Sequence, residues 1–105
     1  PMAVVNGNKG NDIIQLQVTP GQKLTLDASA SSDPDSDSMT FQWWVYKEAG
    51  TYPGNVTIAN PDEDKTQVTV PTDAGGKEIH IILEVQDKNQ EIGMYDYRRV
   101  VLEVI

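Results

Sequence analysis

Apolar and polar residues alternate with a period of two through most of this chain. From Lys23 to Ala28, Leu24, Leu26 and Ala28 fall on one face and Thr25 and Asp27 on the other. Met39, Phe41, Trp43 and Val45 repeat the pattern and leave Gln42, Trp44 and Tyr46 opposite. Lys65 to Val70 turns Val68 and Val70 inward. Glu78 to Gln86 sets Ile79, Ile81, Leu83 and Val85 against His80, Ile82, Glu84 and Gln86. Tyr95 to Val104 closes with Val100, Leu102 and Val104 inward. Successive side chains of an extended backbone point to opposite faces, so this period predicts half-buried strands. Shorter apolar runs at Met2–Val5, Ile13–Val18 and Val56–Ala59 add further strand candidates, and no 3.6-residue period persists beyond one turn.

Turn residues separate these runs: Asn6-Gly7-Asn8 and Gly10, Pro20-Gly21, Gly50 with Pro53-Gly54, Asn60–Asp64, Pro71 with Gly75-Gly76, and Asp87–Gly93. Seven to eight short strands at this spacing predict an all-β fold, an antiparallel β-sandwich of immunoglobulin type. Trp43 occupies the place of the tryptophan such sandwiches bury on their third main strand. At 105 residues the chain reads as one domain, residues 1–105, large enough to hold a core without staples. It has no cysteine, so no disulfide is available and the redox compartment stays open.

Sixteen acids against eight bases give a net charge of −8, which opposes binding to nucleic acid and to anionic membranes. No apolar run approaches the roughly 20 residues that cross a bilayer. The chain opens on Pro1, without a signal segment and already in a strand-like run, so it reads as a piece of a longer protein.

Candidate chemistry is sparse. His80 is the sole histidine, which excludes a multi-histidine metal centre. Glu48, Glu84, Asp96 and Glu103 are available carboxylates, but nothing in their spacing marks the tuned pair that glycoside hydrolysis needs. The chain reads as non-catalytic. Asp33, Asp35 and Asp37 place hard oxygen ligands at alternate positions, and Asp27 or Asp87 could join them, so calcium is one reading of this loop. The other is a solvated turn fixed by Pro34, since Ser38 and Trp44 stand where an EF-hand loop carries its glycine and glutamate. Asp62-Glu63-Asp64 reads as a solvated turn.

The outward residues of the strands at Met39–Lys47, Glu78–Gln86 and Tyr95–Val104 are expected to share one face: Trp44, Tyr46, His80, Ile82, Glu84, Arg99 and Val101. Aromatic rings can stack on a pyranose while Glu84 and Arg99 bond its hydroxyls, so carbohydrate binding is one reading. A surface that also carries Ile82 and Val101 suits burial against another domain better, because contiguous apolar area is normally covered and interfaces favour Trp, Tyr and Arg. A third reading folds Tyr52 and Pro53 of the Lys47–Asn55 loop over Trp44.

The order Asp27-Ala28-Ser29-Ala30-Ser31, Asp33-Pro34-Asp35-Ser36-Asp37, Met39-Thr40-Phe41-Gln42-Trp43 resembles bacterial PKD-type immunoglobulin-like domains of secreted and cell-surface proteins. A narrower resemblance covers nearly the whole chain. Phe41 through Gly54, Ile79-His80-Ile81-Ile82-Leu83-Glu84-Val85 and Tyr97-Arg98-Arg99-Val100-Val101 are similar to the C-terminal domain of a bacterial family labelled cellulose-binding. Members of that family carry an N-terminal domain related to nucleoside hydrolases and are associated with polysaccharide degradation. The resemblance implies a secreted, periplasmic or cell-surface accessory module beside a hydrolase-like domain of the same chain; the leading reading docks it on that domain, in contact with carbohydrate, and calcium aside no cofactor is expected. An autonomous cellulose-binding module and a structural spacer are the alternatives.

Overall fold

The computed structural model describes residues 1–32, 38–87 and 94–105. Among these residues seven strands follow one another as β1 (Ile14–Val18), β2 (Lys23–Asp27), β3 (Met39–Val45), β4 (Thr57–Ala59), β5 (Lys65–Thr69), β6 (Glu78–Asp87) and β7 (Tyr95–Val104), with a 3-10 turn at Lys47–Ala49. They form a four-stranded sheet in the order β1-β7-β6-β3 and a three-stranded sheet in the order β2-β5-β4. This is the division of strands expected of an immunoglobulin-type sandwich. The pairs are antiparallel, as the pattern predicts, except that β1 runs parallel to β7. Parallel neighbours need a long crossover, and here nearly the whole domain lies between the two.

Met2–Val5 does not become a strand. It makes only isolated bridges, Met2 to Ser32 and Val5 to Asn8, because Asn6 and Gly7, both at positive φ, turn the chain at once. Ala3, Val4 and Val5 are nevertheless buried.

The inward residues named by the alternation fill the space between the sheets: Leu26, Trp43, Val68, Ile81, Leu83, Val100 and Leu102 are all buried. Trp43 also ties β3 to the turn before β5. Its backbone N–H donates to the Pro61 carbonyl at 2.7 Å and its indole Nε1–H to the Glu63 carbonyl at 2.8 Å.

The inward alternation of β7 continues through Arg98 and Asp96, where hydrophobic residues would be expected. Both reach the N-terminal segment instead. Asp96 accepts the Ala3 N–H at 2.7 Å. Arg98, 2% exposed, donates to the carbonyls of Ala3, Asn8 and Asp12 and to the Asn8 side-chain oxygen. Ser31 completes the clamp by accepting the Val4 N–H and donating to its carbonyl.

The segment from Glu48 to Gly54 is set by close backbone approach. Thr51 N–H donates to the Glu78 carbonyl at 2.9 Å, and Glu78 N–H donates to Thr51 Oγ1 at 2.8 Å. A Cβ at Gly50 would lie 2.6 Å from that same Glu78 carbonyl oxygen, and one at Gly54 would meet the Tyr52 ring. Gly50→Ala is therefore expected to lose about 1–3 kcal/mol, as overpacking against rigid backbone does, measured as a lower denaturant midpoint.

Candidate functional site

The outer face of the four-stranded sheet is built in cross-strand rows. Trp44 of β3 lies opposite Ile82 of β6, Ile82 lies opposite Arg99 of β7, and Ile13 stands one residue before the Ile14–Val100 pair. The neighbouring row carries Val101 opposite His80, with Tyr46 N–H donating to the His80 carbonyl. Trp44, Tyr46, Ile82, Arg99, Tyr97 and Ile13 line a groove of about 520 Å³ on this face. Trp44 remains 38% exposed, Tyr46 40% and Ile13 54%.

The expected outward residues thus share a face, but they are not equally accessible. His80, Ile82 and Val101 are buried. On the same face the Arg99 guanidinium sits 5.4 Å from the centre of the Tyr46 ring. Arg99 belongs to β7 and Tyr46 follows β3, so the side chain reaches across β6. The contact is a cation–π pair that closes one side of Tyr46.

The polar side chains around this face have partners of their own. Glu84 and Arg99 do not form an ion pair; Glu84 Oε1 accepts the Tyr97 hydroxyl at 3.0 Å, and this hydrogen bond raises the Tyr97 phenol above its usual ionisation range. Tyr52 does not cover Trp44 either. It packs against the core and donates its hydroxyl to Asp73 at 2.7 Å. His80 Nε2 lies 2.6 Å from Glu78 Oε1.

Asp33, Asp35 and Asp37 lie outside the described residues. Asp27 accepts the Ser29 N–H at 2.8 Å, and bonding to Ser29 holds its carboxyl below the usual carboxylate value. Among the described residues, no group of three or more His, Asp or Glu side chains is arranged to hold a metal ion.

Tyr95, Tyr97 and Ile13 belong to the face but were not anticipated. For the tyrosines the signal was present: they extend the outward alternation of Arg99 and Val101 back along β7. Tyr95 and Tyr97 are 51% and 52% exposed, with ring centres 6.4 Å apart and planes within 9°. Ile13 becomes part of the face only through the parallel β1–β7 pairing.

Comparison with known proteins finds both a family and a solved structure that this chain resembles. The family model for the C-terminal domain of the cellulose-binding protein Sde0182 matches residues 23–104. A solved structure of a nucleoside hydrolase-related hypothetical protein from Saccharophagus degradans, described as associated with carbohydrate metabolism, superposes with a TM-score of 0.96 at 41% sequence identity. That match covers 99% of this chain and 25% of the Saccharophagus chain, so this chain spans a quarter of the length of that relative. No match is found among the curated proteins.

Proposed function

The chain belongs to the family of C-terminal domains of the cellulose-binding protein Sde0182, and from that premise we propose that it is a non-catalytic accessory module of a larger, exported protein of carbohydrate metabolism. It docks through the Trp44/Tyr46/Ile82/Arg99 face onto a hydrolase-like domain of the same chain. The observation that carries this reading is the groove itself: a concave, largely apolar surface holding a tryptophan and an isoleucine still open to solvent. Such a surface is normally covered, and Trp, Tyr and Arg are the anchors that interfaces favour. A relative four times as long supplies a source for the covering domain.

The second reading, an autonomous cellulose-binding module using Trp44 and Tyr46, is favoured by the family description. It is disfavoured by shape. A flat glucan sheet needs open coplanar rings, whereas Arg99 closes one side of Tyr46 and the surface is hollow.

Acrylamide quenching tests the docking. Trp44 in this chain alone should be readily quenched, and joining the hydrolase-like domain should protect it, with a Trp44→Phe variant giving the background from Trp43. Equal quenching in both forms would refute docking on this face. Retention of the lone chain on insoluble cellulose, abolished by Trp44→Ala, would support the second reading. A mere spacer predicts neither effect.

A further inference from the structure

We infer that the groove receives a side-chain carboxylate of the hydrolase-like domain, an aspartate or glutamate bonded to Arg99 and carried beside an apolar side chain that packs against Trp44 and Ile82. This rests on the docking reading and names what the covering surface must present. Two adjacent arginines, Arg98 and Arg99, line the groove in a chain of sixteen acids and eight bases. Among the described residues neither meets a carboxylate; the basic groups that do are Lys65, with Asp27, and His80, with Glu78. Arg98 directs its donors to the carbonyls of Ala3, Asn8 and Asp12 and to the Asn8 side chain. Arg99 has no hydrogen bond or ion pair among the described residues, and its charge rests against the Tyr46 ring. A cation–π contact engages the charge and leaves the N–H fork open.

The acids of the same surface leave Arg99 alone. Glu84 lies opposite Tyr97, in the row next to that of Ile82 and Arg99, and its Oε1 accepts the Tyr97 hydroxyl at 3.0 Å. Glu48 also lines the groove, but it is exposed and makes no ion pair with Arg99. A domain seated on the groove strips water from the guanidinium, and a buried cation without a counter-charge is strongly unfavourable. Neutral carbonyls suffice for Arg98. Treating the next residue the same way would leave two like charges side by side in a dry interface. A carboxylate matches the planar fork and cancels the charge.

What accompanies that carboxylate follows from the rest of the lining. Ile82 is buried, and Trp44 is still 38% exposed beside it, so the fitting neighbour is an aliphatic or aromatic side chain. The overall charge of −8 repels a broadly acidic surface, which favours a lone carboxylate in an apolar setting.

The test uses the longer protein and reads hydrogen exchange of the Trp44 indole N–H, assigned by its loss in Trp44→Phe. Its rate, relative to that in the lone chain, gives the docked-to-open ratio. Arg99→Gln keeps hydrogen-bond donors and removes the charge; it should move that ratio about thirtyfold toward open. Arg99→Lys, which keeps the charge, should lose less. Added salt should weaken docking more in the wild type than in Arg99→Gln, a response that a purely steric role for Arg99 does not give. Arg99→Gln docked as firmly as the wild type, or Gln and Lys variants equally opened with the same salt response, overturns the carboxylate and leaves docking intact. A wild-type indole that exchanges as fast in the longer protein as in the lone chain refutes docking itself, and this inference with it.

Discussion

Arg98→Met should lower the stability of this domain by about 2–4 kcal/mol, although the substitution nearly preserves side-chain length and adds apolar character to a buried site. The guanidinium donates to the carbonyls of Ala3, Asn8 and Asp12 and to the Asn8 side chain. Ala3 is fully buried, so its carbonyl cannot turn to water when the donor is lost. Asn8 and Asp12 are exposed and can rehydrate, which keeps the estimate below a full penalty for four orphaned acceptors. Relief of the buried charge offsets part of the loss, since burying a cation is itself unfavourable. Arg98→Lys should also destabilise, because a single ammonium cannot reach acceptors spread from Ala3 to Asp12 in the way a planar fork does. Urea unfolding measures the global effect. Hydrogen exchange locates it: the amides of Ala3 and Val4 should lose protection before those of β6. An unchanged midpoint with unchanged exchange at Ala3 would show that the clamp contributes nothing.

The contrast between Arg98 and its neighbours shows what the sequence could convey. Strand positions and inward faces were legible because one rule, alternation, applies wherever one face of a strand is buried. Leu26, Trp43, Val68, Leu83 and Leu102 all lie where that rule puts them. The rule names a direction and not an environment. It places Arg98 inward, but only the return of residues 3–12 over the end of the sheet makes an arginine suitable there. It places His80, Ile82 and Val101 outward, yet all three are buried, because a side chain's direction does not say what neighbouring side chains of the same face lie over it. Ile13 needed a parallel pairing between the first strand and the last, which no local pattern encodes. Gly50 and Gly54 were readable as loop punctuation; the carbonyl and the ring that forbid a Cβ come from distant or folded-back chain.

Trp43 and Trp44 carry the second large prediction, because adjacent identical side chains should respond in opposite ways. Trp43 is 2% exposed and sits among the core residues of both sheets. Trp43→Ala should lose about 3–5 kcal/mol, the range for deleting a large buried aromatic. A domain of this size has only about 5–15 kcal/mol to lose, so the variant could be unfolded. Trp43→Phe is the readable substitution. It retains most of the apolar volume but removes the indole N–H that serves the Glu63 carbonyl at 2.8 Å, and should lose about 1–2 kcal/mol. Trp44→Ala should change the stability of the isolated chain by less than about 1 kcal/mol, since the side chain is 38% exposed and lies at a groove margin. Its effect should appear instead in protection by the hydrolase-like domain. Fluorescence separates the two in a single pair of proteins: Trp44→Phe should leave a blue-shifted, quench-resistant emission, and Trp43→Phe a red-shifted, readily quenched one. The reverse assignment would place the whole of β3 one residue out of register, turning Phe41 and Val45 to solvent and removing both the core and the groove described above.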